Sequence, residues 1–338
     1  MSSTAEMGVP ASAPLGWLDR VSRTRASALR FAAWAILAVS GVGQAAPSLS
    51  WTQDRGSVGL CGAEGQVLWQ LNYADTQRMP YFHPVALPDS PSLSWLTPPD
   101  HPWHYAMWFA WKFLNGKNYW DFDPKTGQQE GVVRWSNVRV TTNADHSARI
   151  EMDLVYHSAN DPKPVLKERR VVAVSAPAGD GSYHFDWTLT FAAADQKVQF
   201  ERTPILGQPE GVAWGGYAGL TFRFAQELKD WKAVNADGQR DMEAHGRKSV
   251  GCDFSGVVDG KEVGLAMLDH PQNRNAPTPW YLGMDLKVPF GCLIAAPIFH
   301  QGFTLDAGKS FTLRYRVAVH PTRWDAARLK VEARRYAD

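Results

Sequence analysis

The sequence has few cysteines, no excess of charge of one sign and, beyond its first 45 residues, no long apolar run. Its 338 residues include three cysteines, Cys61, Cys252 and Cys292. Their wide spacing matches neither a zinc motif nor a CxxC redox pair. One disulfide plus a free thiol, or three buried thiols, are both open. The formal net charge is +1 without a basic stripe, which argues against a nucleic-acid partner.

The first 45 residues have the three-part layout of a secretory signal. Four arginines precede an apolar run at residues 31–39, and small residues follow up to Ala45, after which we expect cleavage. An uncleaved membrane anchor is the alternative, but the apolar run is shorter than the roughly 20 residues of a spanning helix. The sequence therefore predicts a signal at 1–45, a periplasmic or secreted protein, and no stable membrane insertion after cleavage.

The rest of the chain has the pattern of short strands and turn residues that is typical of an all-β protein. Alternating runs such as 150–154 and 184–191 are broken by Gly, Pro, Asn and Asp, as in half-buried strands. Asn115-Gly116 is a hairpin signal that turns one strand back into 119–122. Residues 321–336 are the one convincing helix, beginning after Pro321. We predict that 46–338 form a single large antiparallel β-sandwich, supersandwich-like, with a C-terminal helix.

One group of closely spaced ionisable residues is Asp100, His101 and His104, with His83 upstream. Pro102 favours an extended or polyproline II segment, whose three-residue repeat puts His101 and His104 on the same side. His83, His101 and His104 are an adequate ligand set for a divalent metal. Alternatively these histidines are catalytic, one acting as general acid or base that Asp100 orients.

After His104 the pattern changes to the period of a strand. One face is wholly apolar and consists of Tyr105, Met107, Phe109, Trp111 and Phe113. The other face carries Trp108 between two alanines. Trp108 is then either a stacking platform for substrate or ordinary core.

Two further groups complete the candidate residues. Glu168 shares one strand face with Arg170, which makes Glu168 a candidate catalytic acid or base, with a surface salt bridge as the alternative. A proline-stiffened loop after the strand candidate at 263–268 contains His270 and Asn273 and ends near Trp280. Such loops position polar groups at the rim of a sandwich.

The many tryptophans favour a sugar ligand. Of 15 tryptophans only two precede residue 46. Aromatic faces stack on the C–H faces of a sugar, while Asn, Asp, His and Arg bond its hydroxyls. A large sandwich core also contains many tryptophans, so the prediction of a sugar ligand depends on export as well. We expect Asp100, Trp108, Arg223, His270, Asn273 and Trp280 to bind substrate.

Three blocks of residues follow one another along the exported part. They are Asp100-His101-Pro102-Trp103-His104 with Asn115-Gly116 and Tyr119-Trp120-Asp121-Phe122, then Gly215-Gly216-Tyr217-Ala218-Gly219-Leu220, then His270-Pro271-Gln272-Asn273 with Trp280. They resemble the DHPHHRG…FW signature and two further blocks of bacterial PmoA-like proteins, over roughly residues 80–320. Trp103 stands where the signature has His and Tyr105 where it has Arg, so no role of those usual side chains is carried over.

The resemblance implies a mutarotase-like large β-sandwich and a role in carbohydrate metabolism. The family takes its name from a methane oxygenase subunit, an activity we do not expect because that subunit spans a membrane many times. We predict an exported lyase, hydratase or hydrolase of a glycoside or keto-sugar, using histidine acid–base or metal-assisted chemistry. The alternatives are a non-catalytic carbohydrate-binding protein and a sugar mutarotase or epimerase. The predicted partner is a small carbohydrate.

Overall fold

A computed structural model describes residues 49–338. The predicted signal at 1–45 lies outside the described residues and stays a prediction. Two 3₁₀ helices occupy Ala63–Gly65 and Asp241–Ala244, and one α-helix, α1, occupies Ala326–Ala337. In chain order the strands are β1 (Ser50–Gln53), β2 (Ser57–Cys61), β3 (Val67–Asn72), β4 (Tyr81–Val85), β5 (Met107–Ala110), β6 (Phe113–Leu114), β7 (Lys117–Asn118), β8 (Gly131–Thr142), β9 (Ala148–Ser158), β10 (Asp161–Val174), β11 (Tyr183–Ala193), β12 (Val198–Glu201), β13 (Gly219–Arg223), β14 (Lys229–Asn235), β15 (Gly251–Val258), β16 (Lys261–Asp269), β17 (Trp280–Asp285), β18 (Phe290–Ala295), β19 (Phe303–Leu305) and β20 (Ser310–His320).

The strands form two large antiparallel sheets and one small one. The first sheet has the order β1-β2-β3-β4-β5-β13-β18-β17, and the second has the order β14-β15-β16-β20-β11-β10-β9-β8. The small sheet has the order β19-β12-β6-β7. Neighbours in the first sheet, such as β5 and β13, are more than 100 residues apart in the chain. Segments from distant parts of the sequence therefore meet along its surface.

The two large sheets pack face to face through aromatic side chains. Phe82 of β4 contacts Phe185 and Trp187 of β11, with ring centroids 4.9 and 5.5 Å apart. Phe109 of β5 contacts Phe191 in the same way at 5.3 Å. Burial alternates residue by residue along β11, as its sequence predicts. The predicted all-β sandwich with a C-terminal helix is confirmed.

The C-terminal helix begins later than predicted. The Asp325 side chain accepts a hydrogen bond from the backbone N–H of Arg328 at 2.8 Å, so Asp325 is the N-cap and Pro321 lies in the preceding loop. Leu329 and Ala333 bury the inner face of the helix. No helix within residues 49–338 is long and apolar enough to cross a membrane.

The three cysteines form no disulfide. Cys61, Cys252 and Cys292 are all free and buried.

The Asn115-Gly116 turn joins β6 to β7, and both of its residues have positive φ, 48° and 76°, as a two-residue type I′ turn requires. The predicted strand at 119–122 is wrong, because the chain leaves the sheet after Asn118.

A buried ion pair lies within the second sheet. Glu168 accepts hydrogen bonds from Nε and Nη2 of Arg170 at 2.6 and 3.1 Å, and a third from the Tyr156 hydroxyl at 2.5 Å. The Glu168 side chain has no exposed surface. It is therefore a part of the core, which contradicts both its predicted catalytic role and the surface salt bridge.

We expect Glu168→Ala to destabilise the fold by about 3–5 kcal/mol, because it leaves the Arg170 charge buried without a partner. Urea unfolding measures this loss. Lys167→Ala, on the exposed neighbouring position, is the control and should change stability by no more than about 0.5 kcal/mol. Equal losses in the two variants would refute the buried-pair account.

Candidate functional site

Two successive turns bring His101 and His104 together. The His101 N–H donates to the Pro98 carbonyl at 3.0 Å, and the His104 N–H donates to the His101 carbonyl at 2.9 Å. The two imidazole rings stack with centroids 4.7 Å apart and an interplanar angle of 29°. They share a side as the sequence predicts, but tight turns achieve it and polyproline II does not.

A local break in the strand pattern changes the face that Tyr105 occupies. Ala106 has a φ of 62°, so the regular alternation starts only at Met107. Tyr105 therefore packs in the same cluster as Trp108 and not with Met107 and Phe109, as the alternation predicted. Trp108 is fully buried, with its ring 5.1 Å from that of His104. The predicted stacking role of Trp108 is wrong, because no part of its ring reaches solvent.

A chain of charged groups fixes the orientation of His101. Arg223, at the end of β13, is fully buried and donates from Nη2 to Oδ2 of Asp100 at 2.7 Å. The same carboxylate oxygen lies 2.8 Å from Nδ1 of His101. An ionised carboxylate can only accept, so we assign the hydrogen of the neutral imidazole to Nδ1. Nε2 of His101 makes no hydrogen bond to residues 49–338 and is left as an acceptor.

His104 is the buried member of the stacked pair. It is 3% exposed. Burial lowers its pKa well below 6.5, and the charges of His101 and Arg223 lower it further. Its Nδ1 has no hydrogen-bond partner among the described residues. His104 therefore supports the ring of His101 without being able to exchange a proton readily at neutral pH.

His101 opens onto a cleft of about 490 Å³ that we call the aromatic cleft. One histidine and two aspartates line it, His101, Asp121 and Asp285. Its other walls are mostly aromatic and comprise Trp103, Trp120, Trp214, Tyr217, Tyr281 and Phe290. Trp214 is 56% exposed, which is unusual for so large an apolar side chain. The cleft thus offers stacking surfaces beside an accessible imidazole.

Distant segments supply the walls of the aromatic cleft. Tyr281 and Phe290 come from the β17–β18 hairpin, and Tyr217 precedes β13. Asp121 follows β7 in the stretch that leaves the sheet, and its Oδ2 accepts hydrogen bonds from Nζ of the buried Lys112 and from Nδ2 of Asn118. Because the chain leaves the sheet after Asn118, Trp120 and Asp121 line the cleft.

The predicted substrate-binding roles of His270, Asn273 and Trp280 are wrong. His270 packs against the ring of Tyr336 in α1, at 5.5 Å. Asn273 is buried and bonds the Asp269 carboxylate and the backbone of Arg314. Trp280 is fully buried and donates to the Ser249 carbonyl. These three residues hold the loop against the sheet and the helix, and they do not line the aromatic cleft.

The predicted metal ligands are not assembled. Nδ1 of His83 lies 2.9 Å from the Ser94 hydroxyl, and His83 is not among the residues that line the aromatic cleft. Within the part of the chain that the structure describes, no group of three or more His, Cys, Asp or Glu side chains is arranged to hold a metal ion. His83, His101 and His104 therefore do not form the predicted ligand set, and His83 is no longer a candidate catalytic residue.

Several residues of the cleft were missed at the sequence level. Trp214, Tyr281 and Asp285 were not among the predicted site residues, because nothing in their local sequence places them beside His101. Asp121 had a signal, since it follows a hairpin turn beside Trp120. The rest depends on the strand order of the first sheet.

The fold and the cleft define an all-β sandwich with an aromatic, histidine-containing site. A family model described as a family of unknown function, DUF6807, matches residues 61–334, and the chain belongs to this family. No curated protein matches the chain. Nothing in these comparisons bears on the resemblance to PmoA-like proteins, which stays a prediction.

Some solved structures are similar at a low level. The GH36 α-galactosidase AgaB of Geobacillus stearothermophilus matches with a TM-score of 0.42 and 8% identity, over 82% of this chain and 41% of that one. A galactose mutarotase-like protein of Lactobacillus casei matches with a TM-score of 0.24 and 12% identity, over 81% of this chain and 100% of that one. The chain thus spans about two fifths of the α-galactosidase. At such TM-scores the function has to be argued from the site itself.

We expect acid to destabilise the fold through His104. Its pKa is lower in the folded state, so below about pH 6.5 the unfolded state binds more protons, and stability falls as pH falls. Between pH 8 and pH 5 wild type should lose up to about 2 kcal/mol more than His104→Gln, at a slope of at most about 1.4 kcal/mol per pH unit. Urea unfolding at each pH measures the difference.

Trp108→Phe is the control for the acid effect, because it disturbs the same cluster without removing a titratable group. It should keep the wild-type pH dependence. An unchanged pH dependence in His104→Gln would show that His104 is not the buried neutral group described above.

Proposed function

We propose that this protein binds a carbohydrate in the aromatic cleft and acts on it with His101 as general acid–base, as an exported lyase of glycosides or keto-sugars. The observation that carries the proposal is the placing of one accessible, oriented imidazole among exposed aromatic faces. Aromatic faces stack on the C–H faces of a sugar ring. Asp121 and Asp285 supply acceptors for its hydroxyls.

His101 can perform an elimination by moving one proton. Nε2 of the neutral imidazole takes the proton from the carbon next to a sugar carbonyl. The electron pair of that C–H bond forms a carbon–carbon double bond, and the glycosidic oxygen leaves with the electrons of its own bond. The imidazolium then returns the proton to the leaving oxygen. Asp100 stabilises the imidazolium through Nδ1 in the meantime, and the Arg223 guanidinium holds the Asp100 carboxylate in place.

The arrangement of the carboxylates supports an imidazole-centred reaction. Oδ2 of Asp121 already accepts from Lys112 and Asn118, and Oδ1 of Asp285 accepts from the N–H of Lys287 at 2.8 Å. Groups held as acceptors in this way suit the binding of hydroxyls better than proton donation. His101 is the one imidazole among the residues that line the cleft, and an imidazole can both accept and donate a proton.

A non-catalytic carbohydrate-binding protein is the second candidate. The observation in its favour is that the His101 ring packs against the rings of His104 and Phe290, at 4.7 and 4.8 Å. Such a ring can serve as part of the stacking surface. A mutarotase would use the same cleft, and exchange of anomers followed by NMR would identify it.

We expect His101→Asn to lower the rate of nitrophenol release from the 4-nitrophenyl 3-keto-glucosides by about 10²–10⁴-fold, because it removes the proton carrier. Absorbance of the released nitrophenol measures the rate. His146→Asn is the matched control, since His146 lies in a turn with a φ of 67° that Asn tolerates. Rates no faster than buffer for wild type on both anomers, or equal rates in the two variants, would refute the lyase.

We expect Asp100→Asn to lower kcat at least about tenfold while KM changes little, because the amide no longer fixes the hydrogen on Nδ1. Steady-state kinetics on the same substrates separate the two constants, and a thermal unfolding curve checks the fold. Asp306→Asn, on an exposed turn, is the control. A change confined to KM would mean that Asp100 contacts substrate and does not position His101.

A further inference from the structure

A second cleft borders the segment that carries Trp120 and Asp121. It has a volume of about 800 Å³ and is lined largely by polar side chains, so we call it the polar cleft. Its lining includes Asn118, Gln128 and Asn160. Asp121 lines both clefts. The two depressions therefore meet at one carboxylate.

Asp121 is built to face a ligand at this junction. Both protein hydrogen bonds to its carboxylate, from Lys112 and Asn118, go to Oδ2. Oδ1 has no hydrogen-bond partner within residues 49–338, and the side chain is 28% exposed. One oxygen thus holds the carboxylate in place, and the other can accept a hydrogen bond from a ligand hydroxyl.

The neighbouring ring joins the walls of the two clefts. Phe122 lines the polar cleft, and its ring meets that of Trp103 in the aromatic cleft edge to face at 6.3 Å. The guanidinium of Arg78 stacks on Phe122 at 4.3 Å and donates to Gln129 and to the Gly127 carbonyl. These contacts hold the side chains in place where the two clefts meet.

We propose that the aromatic and polar clefts form one extended site for a neutral oligosaccharide, with Oδ1 of Asp121 accepting a sugar hydroxyl where the two clefts meet. This inference rests on the proposed function, because it assumes that the aromatic cleft binds a sugar ring. It adds the class of that sugar.

Size argues for a ligand of more than one ring. Each cleft alone falls within the roughly 300–1,000 Å³ that a drug-sized ligand occupies. A monosaccharide in the aromatic cleft would leave the polar cleft empty. The exposed side chains of Gln128 and Asn160 make no hydrogen bond within the described residues, so their amides can bond the hydroxyls of further rings.

Charge argues for a neutral ligand. In the polar cleft three carboxylates, Asp121, Asp123 and Glu130, outnumber the two cations, Arg78 and Lys117. The aromatic cleft adds Asp285. A chain of uronic acids would meet like charges along most of this path.

Binding measurements on the full protein test the inference. An array of neutral mono- to tetrasaccharides of glucose, galactose, mannose and xylose, with tetragalacturonate as the anionic probe, identifies the best series. Calorimetry then compares monosaccharide and tetrasaccharide of that series. We expect the tetrasaccharide to bind at least about tenfold more tightly. The double variant Gln128→Ala/Asn160→Ala should remove most of that gain and leave monosaccharide binding unchanged.

The controls separate this inference from the proposed function. Gln301→Ala removes an exposed amide outside both clefts and should have no effect, whereas Trp214→Ala should weaken both ligands. Equal affinity for monosaccharide and tetrasaccharide, an unaffected double variant, or tighter binding of tetragalacturonate would overturn the extended neutral site and leave the aromatic cleft intact. Failure of every sugar to bind would overturn both proposals.

Discussion

The buried charge of Arg223 is the constraint on which the site depends. An ion without a counter-charge in the interior costs several kcal/mol, and Arg223 is fully buried with the Phe290 ring 4.2 Å from its guanidinium. Nε and Nη1 find no hydrogen-bond partner among residues 49–338, so Asp100 is the main source of compensation. The need to neutralise Arg223 thereby ties the Asp100 turn to the first sheet and carries His101 with it to the mouth of the cleft.

The stacked histidines divide two tasks that a single imidazole could not perform. His104, buried against Trp108 and Trp120, is kept neutral because burial lowers its pKa. The neutral His104 ring therefore stacks on the ring of His101 and fixes its orientation. His101, with its side chain 35% exposed, keeps the access to solvent and ligand that proton transfer requires.

The sequence was informative where chemistry is local and misleading where it depends on the fold. Asp100, His101 and His104 could be predicted, because proline turns and short spacing bring neighbours together whatever the fold. Glu168 could not be placed, because period two shows which residues share a strand face but not which face is inside. The walls from β17 and β18 could not be predicted either, since they reach β5 only through the strand order of the first sheet. The positive φ of Ala106 shifted the faces by one residue without a glycine to signal it.

The measurement that tests the central claim most directly is the ¹⁵N NMR spectrum of the histidine side chains during titration with the sugar that binds best. If the aromatic cleft is the site, Nε2 of His101 shifts on saturation while the nitrogens of His270, on the helix side of the loop, stay in place. Saturation with no change at His101, or a change at His270 instead, would contradict the account.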